Sequence, residues 1–254
     1  MNTPADRQPV VLITGAARRL GAAIARHFAS HAWRVAIHCR HSLPEAQALF
    51  AELGGSAKGH LLLQGDLLDE QFAENLLPQV LAAAGHLDCL INNASEYQRR
   101  PLKDISRMQL QADYAINFTA PFFLMQSFRH HCRNGNIINI LDQSISKTDP
   151  GGGAYAMAKK SLRDATEACA LEWAPEIRVN AVAPGLVLPP PGVSMEKMQR
   201  LLPRVPMQAA VNLADICRAC LFLAETNSLT GQIIYTDGGL HLHNGDLGEK
   251  SRRQ

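Results

Sequence analysis

The chain has little of what membrane proteins, nucleic-acid binders and secreted scaffolds need. Its 254 residues contain no apolar run of membrane-spanning length, and the stretch Met1 to Pro9 is polar, without the apolar centre of a secretory leader. Aromatic residues make up 6% of the chain and the formal net charge is only +2, with Lys and Arg scattered. There is no basic-aromatic stripe, so nucleic acid is not an expected partner. Cysteine is sparse and dispersed: Cys39, Cys89, Cys132, Cys169, Cys217 and Cys220 fall in segments that read as buried strands or helices, which suits reduced thiols. The Cys217-x-x-Cys220 pair lies in an apolar helical stretch, Ala214 to Ala224, without a second Cys or His pair at ligand spacing. Of the histidines, His130-His131 falls at a helix end and His241-x-His243 in a terminal tail. No metal site is expected, and the expected location is cytoplasmic.

What the chain does have is apolar residues, 46% of the total, arranged in alternating strand and helix patterns that predict one α/β domain over residues 1–254, with flexible tails at 1–8 and 245–254. The strands are Val10 to Thr14, Arg34 to Cys39, His60 to Gln64, Leu87 to Ile91 before an Asn92-Asn93 turn, Asn136 to Leu141, Ile177 to Val182 and Gln232 to Tyr235. Between them the pattern predicts helices over Leu20 to Ser30, Pro44 to Leu53, Glu70 to Ala84, one long stretch from Ile105 to Cys132 bent or begun at Pro121, Ala154 to Trp173, and Asp215 to Ala224. A flexible Pro150-Gly151-Gly152-Gly153 segment precedes the fifth helix, and the Pro-rich stretch Pro184 to Pro206 reads as a substrate loop. Strands alternating with helices of this length imply a parallel sheet covered on both faces, with ligands beyond the strands' C-terminal ends.

The motifs fall at those ends. Thr14-Gly15-Ala16-Ala17-Arg18-Arg19-Leu20-Gly21 joins the first strand to the first helix, placing backbone N–H groups and a helix N-terminus where a pyrophosphate would sit. After the second strand, His38-Cys39-Arg40-His41-Ser42 contains no acid to hold a ribose 2′-hydroxyl, and Arg40 with Arg18 suits a 2′-phosphate instead. Each Arg has the alternative of a solvated surface charge. Tyr155 and Lys159 stand four residues apart on one helix face. A nearby ammonium favours phenolate over phenol, which brings the Tyr155 proton closer to transfer at neutral pH.

Taken in order, that loop, Asn92-Asn93-Ala94, Asn117, Asp142, Tyr155, Lys159, Pro184-Gly185 and Asp237-Gly238-Gly239 make the chain resemble the short-chain dehydrogenase/reductase family over essentially its whole length. Two departures point to one branch. Arg19 replaces the middle glycine of the family's loop, and Asp142, thirteen positions before Tyr155, replaces its catalytic Ser. With Ile37-His38, Arg40, Ser42, Asn93-Ala94-Ser95 and Ala183-Pro184-Gly185-Leu186, they resemble the pteridine reductases. The resemblance implies a Rossmann-type doubly wound parallel sheet, a homotetramer, and NADPH-dependent reduction of a pterin such as dihydrobiopterin or dihydrofolate. Dihydromonapterin, or a carbonyl or 3-oxoacyl substrate, is the alternative.

By the same resemblance Asp142, Tyr155, Lys159 and Asn117 are catalytic. NADPH is held by Gly15, Arg18, Arg19, Leu20 and Gly21, by His38, Arg40 and Ser42, by Asp66 and Leu67, by Asn93, Ala94 and Ser95, and by Tyr155, Lys159, Pro184 and Gly185. The pterin meets Arg19, Ser95, Tyr97, Asp142, Tyr155 and Leu186. Alternatives stand beside these roles: loop capping for Asp66, a strand-end turn for Asp142, and packing on Arg99 or Arg100 for Tyr97. An ionised Asp142 accepts hydrogen bonds and donates none, so it cannot act as Ser does toward a carbonyl.

Overall fold

Runs of Val, Leu and Ile buried on both sides belong in the interior of a parallel sheet. The computed structural model, which describes residues 7–98, 100–148, 150–187, 196 and 199–242, puts them there. β1 (Val10–Ile13) is wholly buried and lies between β2 (Arg34–Cys39) and β4 (Cys89–Asn92). With β3 (Leu61–Gln64), β5 (Gly135–Ile140), β6 (Ile177–Pro184) and β7 (Ile233–Thr236) they form a seven-stranded sheet of order β3-β2-β1-β4-β5-β6-β7. All neighbours are parallel. The chain winds outward from β1 in one direction and from β4 in the other, so a crevice opens above their C-terminal ends.

Alternation along the strands divides the core in two. Val10 and Leu12 face α3 (Glu70–Ala84), α5 (Ala120–His131) and α6 (Gly153–Trp173). Val11 and Ile13 face α1 (Arg19–Ser30), α2 (Leu43–Glu52) and α7 (Leu213–Glu225). Cys217 and Cys220 belong to this second layer, where burial pushes the Cys217 thiol up to about 11 and raises the Cys220 thiol well above its ordinary value. Polar side chains inside the sheet are paired to one another: Asn92 Nδ2 donates to Asn139 Oδ1 at 2.9 Å, and Asn139 Nδ2 to Thr166 Oγ1 at 2.8 Å. Arg178 closes the end of α7, its Nη1 and Nη2 donating to the Leu223 and Ala224 carbonyls at 2.8 Å each.

The expected elements are present, with most ends displaced by at most two residues, and five local readings need correction. The stretch Ile105 to Cys132 begins later and holds an unexpected π-helical turn: α4 (Arg107–Tyr114), begun by a Ser106–Gln109 capping box, passes into the turn over Ala115–Thr119 and then into α5, with Pro121 at its start as expected. Asn92 is the last residue of β4 rather than part of a turn. The glycine segment is ordered, a 3-10 turn over Pro150–Gly152 leading into α6. Arg7 and Gln8 are docked, Arg7 donating to Asp88 Oδ1 at 2.7 Å and the Gln8 carbonyl bonding the His86 ring at 3.1 Å. His241 is fixed too: it stacks on Tyr235 at 4.2 Å between ring centroids and bonds buried Asp237 at 2.9 Å. Residues 1–6 and 245–254 of the expected tails, residues 243 and 244 before the second tail, and residues 188–195, 197 and 198 of the Pro184 to Pro206 loop lie outside the described residues.

Candidate active site

The loop after β1 is built jointly with the loop after β4. The Thr14 hydroxyl accepts the backbone N–H groups of Asn93 and Ala94, both at 3.0 Å, while Asn93 Nδ2 donates to the Thr14 and Gly15 carbonyls at 2.9 and 3.1 Å. Glycine is required twice. Gly15 has φ +63°, and a Cβ there would come within 2.9 Å of Ala94 Cα; at Gly21 a Cβ would lie 2.4 Å from the Gly15 carbonyl oxygen. Arg19 opens α1 in the left-handed region at φ 53°, an uncommon geometry for a side-chain-bearing residue. No acidic residue occupies the first turn of α1 and no side chain caps it, so no side chain of its own turn offsets the partial positive charge of that helix end.

His38 holds the loop from below. Its ring is buried, Nδ1 accepting from Gly15 N–H at 3.3 Å and Nε2 donating to the Gly65 carbonyl at 3.1 Å. Burial lowers its pKa to about 4, so it stays neutral and keeps both bonds across the physiological range. Above it runs a groove lined by Gly15, Arg18, His38, Arg40, Ser42, Asp66, Leu67, Ala94 and Ser95, all of them expected at the cofactor. Ala17, Cys39, His41, Glu96 and Ile116 line it as well; each is a sequence neighbour of an expected residue, the only signal that marked them. The cations of the groove are not alone: Arg18 Nη1 lies 3.5 Å from Glu45 Oε1, and Arg40 meets Asp66 and Glu96 at 3.7 and 3.3 Å. The acids missing after β2 thus arrive from other segments. Asp66 also caps its own loop, Oδ1 accepting from Leu68 N–H at 3.0 Å.

At the end of β5 the second half of the site assembles. Asp142 Oδ1 accepts from Ser144 N–H at 2.8 Å and its Oδ2 accepts from the Tyr155 hydroxyl at 3.4 Å. Lys159 is buried and donates to the Ile140 carbonyl at 2.8 Å, its Nζ 5.8 Å from the Tyr155 ring centroid. The π turn brings Asn117, fully buried, beneath the same group. Its Nδ2 donates to the Glu96 and Asp113 carbonyls at 2.9 and 3.0 Å, and its Oδ1 accepts from Ser95 Oγ at 2.6 Å. Tyr97 sets its ring at 73° to that of Tyr155, with centroids 4.8 Å apart.

Residues 15–241 match the family model described as "Enoyl-(Acyl carrier protein) reductase". An uncharacterized short-chain type dehydrogenase/reductase of Sinorhizobium fredii is 33% identical over 91% of this chain and 97% of its own. The chain belongs to the short-chain dehydrogenase/reductase family. A putative ketoacyl reductase of the granaticin polyketide synthase of Streptomyces violaceoruber is 28% identical over 95% of this chain and 100% of its own. Among solved structures, the FolM alternative dihydrofolate reductase 1 of Brucella canis, complexed with NADP, superposes with a TM-score of 0.89 at 34% identity, covering 94% of this chain and 97% of that one.

Within this short-chain dehydrogenase/reductase site the acid–base balance departs from the expectation drawn from the Tyr155–Lys159 spacing. Burial, and after it the charge of Asp142, raises the Tyr155 pKa well above the ordinary phenol value, while hydrogen bonding with the nearby Ser95 hydroxyl opposes the rise. Burial lowers Lys159 to about 8, against the pull of Asp142. The phenol is therefore held protonated rather than poised to ionise. Pro184 and Gly185 sit where β6 leaves the sheet, Gly185 so close that a Cβ would lie 2.7 Å from Asp237 Cα. The Leu186 carbonyl accepts from Val211 N–H at 2.8 Å, fixing the start of the Pro-rich loop.

Proposed function

We propose that this oxidoreductase uses NADPH to reduce dihydropterins, and that it does so in the cytosol as a homotetramer. The observation that carries the substrate class is the contact between Asp142 and the Tyr155 hydroxyl, with Tyr97 beside it. A ketone oxygen needs hydrogen-bond donors, and the family's Ser position here offers an acceptor. A pterin has the complementary chemistry, an amino group and ring nitrogens that face a carboxylate, and a flat ring that an aromatic face stacks on. The likeness to dihydrofolate reductases crystallised with NADP supports the same reading.

The residues present fit the cofactor. The uncapped start of α1 and the left-handed Arg19 suit a pyrophosphate, and Arg18, Arg40 and Ser42 at the far end of the groove suit a 2′-phosphate. Bound there, NADPH supplies a hydride. Lys159 holds the nicotinamide ribose hydroxyls, using donors beyond its bond to Ile140. Tyr155, kept protonated by burial, passes its proton to the pterin ring nitrogen next to the carbon that is reduced. Asp142 orients the pterin, and Asn117 supports the Ser95–Tyr97 segment through the Glu96 carbonyl. NADPH oxidation over a panel of dihydrobiopterin, dihydromonapterin, dihydrofolate and simple ketones tests the assignment. The parent is expected to turn over a pterin, and Asp142→Ser to lose pterin activity while keeping or gaining activity on ketones. A parent that reduces ketones and no pterin, or an Asp142→Ser variant as active on pterins as the parent, overturns the pterin assignment.

A further inference from the structure

The groove carries a connection that nucleotide binding alone does not need. Arg40 is engaged from three segments: its Nε donates to His41 Nε2 at 2.6 Å and lies 3.7 Å from Asp66 Oδ2, and its Nη1 lies 3.3 Å from Glu96 Oε1. His41 follows β2 and Asp66 follows the adjacent β3, but Glu96 follows β4, so its carboxylate reaches Arg40 across the end of β1. The backbone of that same residue belongs to the chemical site. Its carbonyl accepts from Asn117, Ser95 on one side bonds the Asn117 oxygen, and Tyr97 on the other rests against Tyr155. One residue therefore ties the cation of the groove to the segment that faces substrate.

We propose that Glu96 is a latch that a 2′-phosphate opens: its carboxylate occupies Arg40 until the dianionic phosphate takes the guanidinium, and its release loosens the Ser95–Tyr97 segment to receive the substrate. This rests on the assignment of the groove to a 2′-phosphorylated nucleotide. Before binding, the guanidiniums of Arg18 and Arg40 are faced by Glu45, Asp66 and Glu96. A nucleotide without the 2′-phosphate offers Arg40 nothing stronger and leaves the latch closed. A phosphate, with more charge and more acceptor oxygens than a carboxylate, displaces it. Glu96 then has two effects. It weakens binding of 2′-phosphorylated nucleotides selectively, and it couples their binding to the mobility of residues 95–97, a coupling that acts equally in both directions.

The test uses 2′,5′-ADP and 5′-AMP as probes, with calorimetric affinities and amide hydrogen exchange over residues 93–98, on the full chain and on Glu96→Gln. The Glu96 side chain is 65% exposed, so the substitution leaves the fold intact; Glu96→Asp, which shortens the reach, is the milder second variant. Glu96→Gln is expected to tighten 2′,5′-ADP roughly two- to fivefold, the scale of a partly exposed ion pair, with 5′-AMP unchanged and Glu96→Asp in between. In the parent, 2′,5′-ADP raises exchange over 93–98 and 5′-AMP does not, whereas Glu96→Gln exchanges at the raised level without any nucleotide. If the parent prefers 2′,5′-ADP and Arg40→Asp abolishes that preference, yet Glu96→Gln changes neither affinity nor exchange, the latch is overturned and the cofactor assignment stands. If the parent binds neither probe, both fall.

Discussion

At the scale of single residues, Tyr155 and Lys159 divide the work that their spacing alone assigns to a pair. Burial acts on both in the direction of the neutral form, raising the phenol and lowering the ammonium to about 8. Tyr155 thus stays a donor throughout the accessible pH range, and its removal should be costly: Tyr155→Phe is expected to lower turnover by about two to four orders of magnitude, the range for a positioned acid, while NADPH still binds in a fluorescence titration. Lys159, not Tyr155, sets the alkaline limit. Its charge is present below pH about 8 and lost above it, so NADPH affinity should fall as pH rises through that value. In Lys159→Met the fall should vanish and affinity should be uniformly weak. An alkaline limb that survives in Lys159→Met assigns the titration to another group.

At the scale of elements, the entry into α6 is what aims Tyr155. Gly153 sits at φ +57°, and a Cβ there would lie 2.5 Å from the Arg100 carbonyl oxygen. Arg100 in turn lies 3.4 Å from buried Asp113 of α4, so the start of α6 is pressed against the segment that follows Tyr97. Gly153→Ala combines a left-handed penalty of about 1–2 kcal/mol with that clash, and chemical denaturation should show at least that loss. Because Tyr155 stands two residues further on, turnover should fall as well. A variant as stable as the parent means that this entry relaxes at no cost. The π turn over Ala115–Thr119 is the matching device on the other side, for it places Asn117 where its amide reaches both the Asp113 and the Glu96 carbonyls.

At the scale of the whole molecule, helices on the α4–α5–α6 side leave apolar side chains in the open: Met108 is 77% exposed, Phe123 57% and Leu171 86%. Exposed apolar surface on neighbouring helices is the usual sign of an assembly face, and we expect a tetramer that covers it. Light scattering at micromolar concentration checks this, and a stable monomer there removes it. Substitution of Leu171 by Glu should shift the assembly toward smaller species without changing the secondary structure seen by circular dichroism, since its side chain lies outside the core.

Local sequence determined which segments are strands and helices and where the chemistry-bearing residues fall along the chain. Apolar runs such as Val10 to Ile13 and the three-to-four spacing of α1 express burial that is decided residue by residue. The same is true of the left-handed turn that Gly15 makes and of the Tyr155–Lys159 pair, although the close approach of Ala94 to Gly15 is tertiary. Tertiary structure decided what depends on distance across the sheet. The carboxylates beside Arg40 come from the loops after β3 and β4, and nothing within the His38 to Ser42 run announces them. The protonated state of Tyr155 follows from burial under Tyr97 and contact with Asp142, not from the lysine one turn away. The break at Asn117 is signalled only by Pro121 four residues on, which has no N–H for the Asn117 carbonyl; that the break takes the form of a π turn depends on the distant Glu96 carbonyl that the Asn117 side chain meets. His241 reads as tail until the Tyr235 ring and the Asp237 carboxylate are brought beside it. Periodicity records which face of an element is dry; which charge stands opposite which is set only when distant loops share one end of the sheet.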